Sequence, residues 1–158
     1  MASIEVQRVV SHSSIPTSTQ LKSWAKAALA KEMLKAELTI RIVDKEEIQM
    51  LNSTYRHKNK PTNVLSFPFE MPDGVEMDAP ILGDIIICAD VILEEAKEQD
   101  KTYAAHWAHM VVHGILHLQG YDHENDHDAE IMEAKEIQIL KKLGFDNPYQ
   151  VRENHHGE

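Results

Sequence analysis

The sequence predicts an α+β fold: one domain with a mostly four-stranded mixed sheet and about five helices. Three observations carry that expectation. Segments with apolar residues at every second position interleave with segments whose apolar residues recur at helical spacing, and those two periods separate strand from helix. Cap and turn residues fall between the segments. One stretch, 102–119, is apolar almost all round, as suits a helix buried in the middle of a domain. The 158 residues, 42% hydrophobic and 27% charged, suffice for a single core of ordinary size. We expect the domain to occupy 1–150 and a polar tail to occupy 151–158.

Taken in order, SIEVQRVV (3–10) alternates loosely and fits a first strand. PTSTQLKSWAKAALAKEML (16–34) turns helical, with Thr17 or Ser18 as cap and Leu21, Trp24, Ala25, Ala28 and Leu29 at helix spacing. ELTIRIV (37–43) alternates as a strand. Asp44 opens the next helix, with Glu47 completing a capping box; Ile48 and Leu51 face inward, and the helix ends near Tyr55. NVLSFPF (63–69) and ILGDIIICA (81–89) read as strands, separated by a loop with a Pro-Asp-Gly turn signal. A helix with Asp90 as possible cap spans 89–99. The apolar helix comes next, and a last helix runs from Asp126 to a stop at Gly144.

The formal charge of −10 argues against broad, non-specific nucleic-acid binding, which usually shows a basic balance. A local patch can still oppose the net charge, and YRHKNK (55–60) gathers basic residues in one place. No stretch has the length and apolarity of a membrane span, and the N-terminus lacks the pattern of a signal peptide. The one cysteine, Cys88, lies in an apolar run; with no internal disulfide possible, the expected compartment is the cytoplasm.

HGILHLQGYDH (113–123) carries the strongest chemical signal. At about 100° per residue, His106, His109, His113 and His117 share a helical stripe about 80° wide. His113 and His117, at i and i+4, can aim their rings at one point, the geometry by which HxxxH binds zinc. Gly120 can take the left-handed conformation that stops a helix, so that the chain folds back and delivers His123 as a third ligand. Three neutral imidazoles on a tetrahedral ion leave one position for water, as in a catalytic zinc site. The alternative is a core with a few satisfied histidines, or a structural metal.

These residues resemble the signature HGxLHLxGYDH of the YbeY family, bacterial single-strand-specific endoribonucleases of ribosomal RNA maturation. LNSTYRHKNKPTNVLSFPFE (51–70) is similar to the family's other hallmark, an arginine followed by a Thr-x-Val-Leu-Ser-Phe strand. LGDIIIC (82–88) resembles its Leu-Gly-Asp strand, and His109 its upstream histidine. The resemblance covers nearly the whole chain in the same order. It implies a zincin-like metal-binding helix and one zinc ion per chain, held by His113, His117 and His123, with Arg56 as the functionally important arginine. It further implies processing of the 16S rRNA 3′ end, ribosome quality control, and contact with the ribosome or small-subunit assembly proteins. Neither DNA nor a membrane is expected as a partner.

The spacing HxxxHxxGxxH is also that of metzincin proteases, whose motif is HExxHxxGxxH. There the residue after the first histidine is the glutamate general base; here it is Gly114, which argues against peptide hydrolysis by that route. Phosphodiester cleavage asks for an activated oxygen and for stabilisation of charge developing on phosphate. Zinc lowers the pKa of its water to about 7 without a carboxylate base. A guanidinium can grip two phosphate oxygens at once, and Arg56 is the candidate catalytic clamp. Lys58 and Lys60, with His57, can steer an RNA strand; a solvated loop after a helix is an equal reading of each lysine. His109 is a ligand-orienting residue, a substrate contact, a proton shuttle or, at least as readily, a satisfied core histidine. Asp122 holds a turn or a hydrogen bond to a ligand. Asp84, inside an apolar strand, reads as a buried carboxylate with a structural partner. Two other functions stay open: a zinc amide or peptide hydrolase, and a non-catalytic ribosome-assembly factor with a structural zinc.

Overall fold

The computed structural model describes residues 2–10, 14–70, 74 and 79–149. Its elements are β1 (Ser3–Arg8), α1 (Ser18–Ala27), a 3₁₀ turn (Lys31–Met33), β2 (Glu37–Val43), α2 (Lys45–Arg56), β3 (Val64–Pro68), β4 (Ile81–Cys88), α3 (Ala89–Glu98), α4 (Tyr103–Leu118) and α5 (Asp126–Lys142). The sheet order is β1-β2-β4-β3. β1, β2 and β4 run parallel, and β3 is antiparallel to β4. The expected α+β class, four-stranded mixed sheet and five α-helices are therefore all present.

Alternation along β4 sorts the core into two. Ile85 and Ile87 point into the main cluster, with Trp107, Val111, Ile115 and Leu116 of α4. Ile86 and Cys88 point to the other face, where Val43, Ile48 and Leu65 close a smaller cluster under α2. Helix α4 is the centrepiece: eleven of its 16 residues are buried, as its all-round apolar sequence requires. Thr102 caps it by accepting from the Ala105 amide at 3.1 Å.

Three local expectations are corrected. The helix expected through 16–34 ends at Ala27. Gln119 takes over the backbone there, donating from Nε2 to the Ala28 carbonyl and accepting from the Ala30 amide, both at 2.7 Å; a contact 91 residues distant overrides helix propensity. The capping box on α2 is half formed. Asp44 accepts from the Glu47 amide at 2.9 Å, while the Glu47 carboxylate accepts instead from Arg41 Nε at 2.7 Å. Asp84 is exposed, because α2 covers Ile86 and Cys88 on that face of β4 but not the start of the strand.

Asp90 lies inside the first turn of α3, whose N-cap is Cys88. Tyr103 and Trp107 are edge-on neighbours, with Trp107 fully buried in the core. Most of the expected loop between β3 and β4, with its Pro-Asp-Gly turn, lies outside the described residues, as does the 151–158 tail. Among the described residues no helix is long and apolar enough to cross a membrane.

Candidate metal centre

The last two turns of α4 carry His113 and His117, whose ring centroids are 4.6 Å apart. The helix then stops in a Schellman motif: the Gly120 amide donates to the His117 carbonyl at 3.0 Å and the Tyr121 amide to the Leu116 carbonyl at 3.1 Å. Gly120 has φ +101, the left-handed region expected of it. The reversed chain brings the His123 ring to 5.0 Å from His117 and 5.5 Å from His113. One nitrogen of each ring lies within 4.8 Å of the others. Asp122 holds this return, its Oδ1 accepting from the His123 amide at 2.7 Å.

The donor set fits a metal. Three imidazoles converge, and their rings are tilted by 58° to 81° rather than stacked. The His123 side chain remains 56% exposed, so the group is open on one side. Burial, then the neighbouring His113 and His123, push His117 down to about 4. His117 is thus neutral at pH 7, the form that ligates.

Behind the histidines lies Glu136 of α5, which no sequence pattern singled out. It is fully buried and accepts from His113 Nδ1 at 2.5 Å, from His109 Nε2 at 3.1 Å and from the Tyr149 hydroxyl. Burial pushes its carboxyl up, but the hydrogen bonds from His109 and His113 outweigh that and bring it down to about 2. His109, His113 and Glu136 also cluster closely enough to resemble a second metal group. At 2.5 Å the contact from His113 Nδ1 is a close hydrogen bond to the Glu136 carboxylate. His106 takes no part: it is buried against Glu95 at 2.8 Å, which in turn accepts from Asn63.

The basic loop is shaped from α2. Its C-cap, His57, adopts φ +59, turning the chain sharply after Arg56. Buried Asn52 pins the 58–60 loop, donating from Nδ2 to the Lys60 carbonyl at 2.9 Å and accepting from the Lys58 amide at 3.2 Å. Across the gap, Ser66 of β3 donates to the Gly114 carbonyl at 3.3 Å. A cleft of about 460 Å³ results, lined by Arg56, Lys58, Lys60, His113, His117 and His123 together. Arg56, Lys58, Lys60 and the three histidines thus face one space, although sequence separates the basic loop from the histidines by more than 50 positions; His57 and His109 do not line it.

The model of the family described as endoribonuclease YbeY matches residues 5–144. The chain belongs to the YbeY endoribonuclease family. This YbeY-family chain is also similar to the solution structure of TM1509 from Thermotoga maritima, with a TM-score of 0.56 and 25% identity, covering 97% of this chain and 98% of that one. Membership makes the chain a nuclease of the hydrolase class that acts on RNA, in a family of ribosomal RNA processing. Both halves of the cleft fall inside the matched span, and the three-histidine group is one that could bind a metal ion.

The shifted groups give the metal-free YbeY fold a defined pH response. His117 is lowered from 6.5 to about 4, so between those values the unfolded chain binds a proton that the folded chain refuses. Stability therefore falls as pH drops through that window. His109, lowered by burial, acts in the same direction. Glu136, about 2 against an ordinary 4.5, extends the loss below pH 4.5. Urea midpoints of metal-free protein should decline steadily from pH 7 to pH 4, and less steeply in His117→Ala. A flat wild-type profile contradicts this account.

Proposed function

We propose that this protein is a zinc-dependent endoribonuclease specific for single-stranded RNA, acting on the 3′ end of 16S rRNA during maturation and quality control of the small subunit. The observation that carries the reading is the shared cleft, in which an open three-histidine group faces Arg56, Lys58 and Lys60. His113, His117 and His123 would hold the ion. Zinc, when bound, supplies Lewis acidity and a water acidified to a pKa of about 7.

The chain's own residues do the rest. Arg56 ends a helix and extends exposed into the cleft, where its planar fork can hold two phosphate oxygens and strengthen its grip as charge develops. Lys58 and Lys60 attract the backbone on either side of the reacting phosphate. Their loop, pinned by Asn52, holds these cations in place before substrate arrives. The rRNA would meet a net-acidic protein at this basic patch, which suits action beside ribosomal assembly proteins in the cytoplasm.

Two other readings are less well supported. A structural zinc is normally closed by four protein ligands, whereas here three imidazoles converge and His123 is exposed. In a peptide hydrolase of the metzincin kind a glutamate follows the first histidine; here Gly114 takes that place and packs against the sheet.

The test is cleavage of one labelled RNA, single-stranded and as a duplex, by chelator-stripped protein before and after zinc is restored. Zinc should restore cleavage of the single strand by at least about 100-fold over the stripped protein, with the duplex resistant. Equal cleavage by stripped and restored protein would remove zinc from the mechanism. Zinc-loaded protein that folds and binds RNA without cutting would favour the assembly-factor reading.

A further inference from the structure

We propose that Glu136, braced by Tyr149 and His109, is the positioning residue of the metal centre: it keeps His113 protonated at Nδ1 and so commits Nε2 to the ion. The metal half of this inference rests on the proposed zinc site; the hydrogen-bond half does not.

Both oxygens of this fully buried carboxylate are in use. Oε2 faces His113 Nδ1 at 2.5 Å; Oε1 faces His109 Nε2 at 3.1 Å and the Tyr149 hydroxyl. An ionised carboxylate only accepts, so each partner must donate. His109 obeys this, because its other nitrogen, Nδ1, is buried with no hydrogen-bond partner among the described residues, leaving Nε2 as the place for its proton. For His113 the same rule puts the proton on Nδ1, and a neutral imidazole then has its lone pair on Nε2. Carboxylate partners fix tautomer and ring orientation at metal-binding histidines generally.

The brace comes from the far end of the chain. After α5 the Phe145 amide donates to the Leu140 carbonyl at 2.9 Å, and the Phe145 ring packs edge-on against Trp24, with centroids 5.9 Å apart. The segment then turns, the Tyr149 amide donating to Asn147 Oδ1 at 2.8 Å. This returns the Tyr149 ring to His109 at 5.3 Å and its hydroxyl to Glu136. Tyr149 is therefore part of the centre, although none of the described residues after α5 lines the cleft.

Glutamine at position 136 cannot satisfy three donors, since one of its two terminal atoms is itself a donor. In Glu136→Gln at least one partner must reverse its hydrogen or lose its bond. The test is ¹⁵N-histidine NMR of metal-free protein at pH 7.5, together with zinc affinity by chelator competition. In the wild type His113 should show a protonated Nδ1 and an unprotonated Nε2. Glu136→Gln should shift it towards the Nε2-protonated tautomer and weaken zinc binding about 10- to 100-fold. Tyr149→Phe loses only a hydroxyl, on a residue 41% exposed, and keeps the test alive if the first variant folds poorly. It should weaken zinc binding roughly threefold to tenfold with little change in thermal midpoint.

A His113 protonated at Nε2 in the wild type, or unchanged tautomer and affinity in folded Glu136→Gln, overturns the proposal. A wild type that shows the expected tautomer but binds no zinc overturns the metal reading instead, while the tautomer shift still decides what Glu136 does.

Discussion

Arg56→Ala is expected to slow cleavage of single-stranded RNA by about 100- to 1000-fold, the usual loss when one preorganised donor to a developing charge is removed. The protein should keep its fold and its metal. Arg56 is exposed at the last turn of α2, so deleting its side chain leaves no buried group unpaired and opens no cavity. It lines the same cleft as the three histidines but is not among the residues that could ligate an ion. Arg56→Lys should recover only part of the rate, because an ammonium is a point charge and cannot fork across two phosphate oxygens. Lys58→Ala and Lys60→Ala should instead weaken RNA binding, each lowering the slope of log affinity against log salt by about one unit or less. Single-turnover rates on labelled RNA, with zinc content measured in every sample, separate these outcomes. Wild type and Arg56→Ala cutting at the same rate would sink the clamp, and would point to a contaminating nuclease as the source of cleavage.

Gly114→Glu should unfold the protein or destabilise it by more than about 4 kcal/mol, a large share of the roughly 5–15 kcal/mol that a domain of this kind possesses. The cause is space. A Cβ at position 114 would lie 3.0 Å from Ile85 Cγ2 and 3.4 Å from Ile85 Cβ and Cδ1, and Ile85 is fully buried in the central strand β4. Alanine alone should cost about 1–3 kcal/mol through overpacking; a glutamate adds an unpaired carboxylate against the sheet. The same geometry explains why restoring the metzincin glutamate should give no peptidase: the position faces β4, where α4 and the sheet approach closely enough for Ser66 to reach the Gly114 carbonyl. Urea denaturation of both variants checks the order. A folded Gly114→Glu with a wild-type midpoint would place that side chain away from Ile85 and reopen the hydrolase question.

Much of the site is legible in the sequence because its geometry is local. The i, i+4 pair His113 and His117 shares a helix face by helical periodicity alone, and Gly120 marks where that helix must stop. Thr17, Asp44 and Thr102 announce helix starts through bonds that reach only three residues. The role of Glu136 is hidden by the same logic. It falls at helical spacing with the buried Met132, Ile139 and Leu140, a carboxylate on an apolar stripe, but it stands 23 residues from His113 and that periodicity does not say which residues it meets. Asn52 lies on the inward face of α2 with Ile48 and Leu51, but its sequence position does not show that its partner is the 58–60 loop.

Local patterning is enough to give the alternation of strands and helices, the buried character of α4, and the three histidines that converge at its end. Each of these arises from periods and turns that span no more than about ten residues. Long-range packing is what puts Arg56 in one cleft with those histidines, lets Gln119 end α1, leaves Asp84 in solvent, and sets Glu136 and Tyr149 behind the three histidines. Those outcomes depend on the sheet order β1-β2-β4-β3 and on which helix covers which end of which strand. Packing sets them between residues far apart in the chain, where local periodicity carries no information.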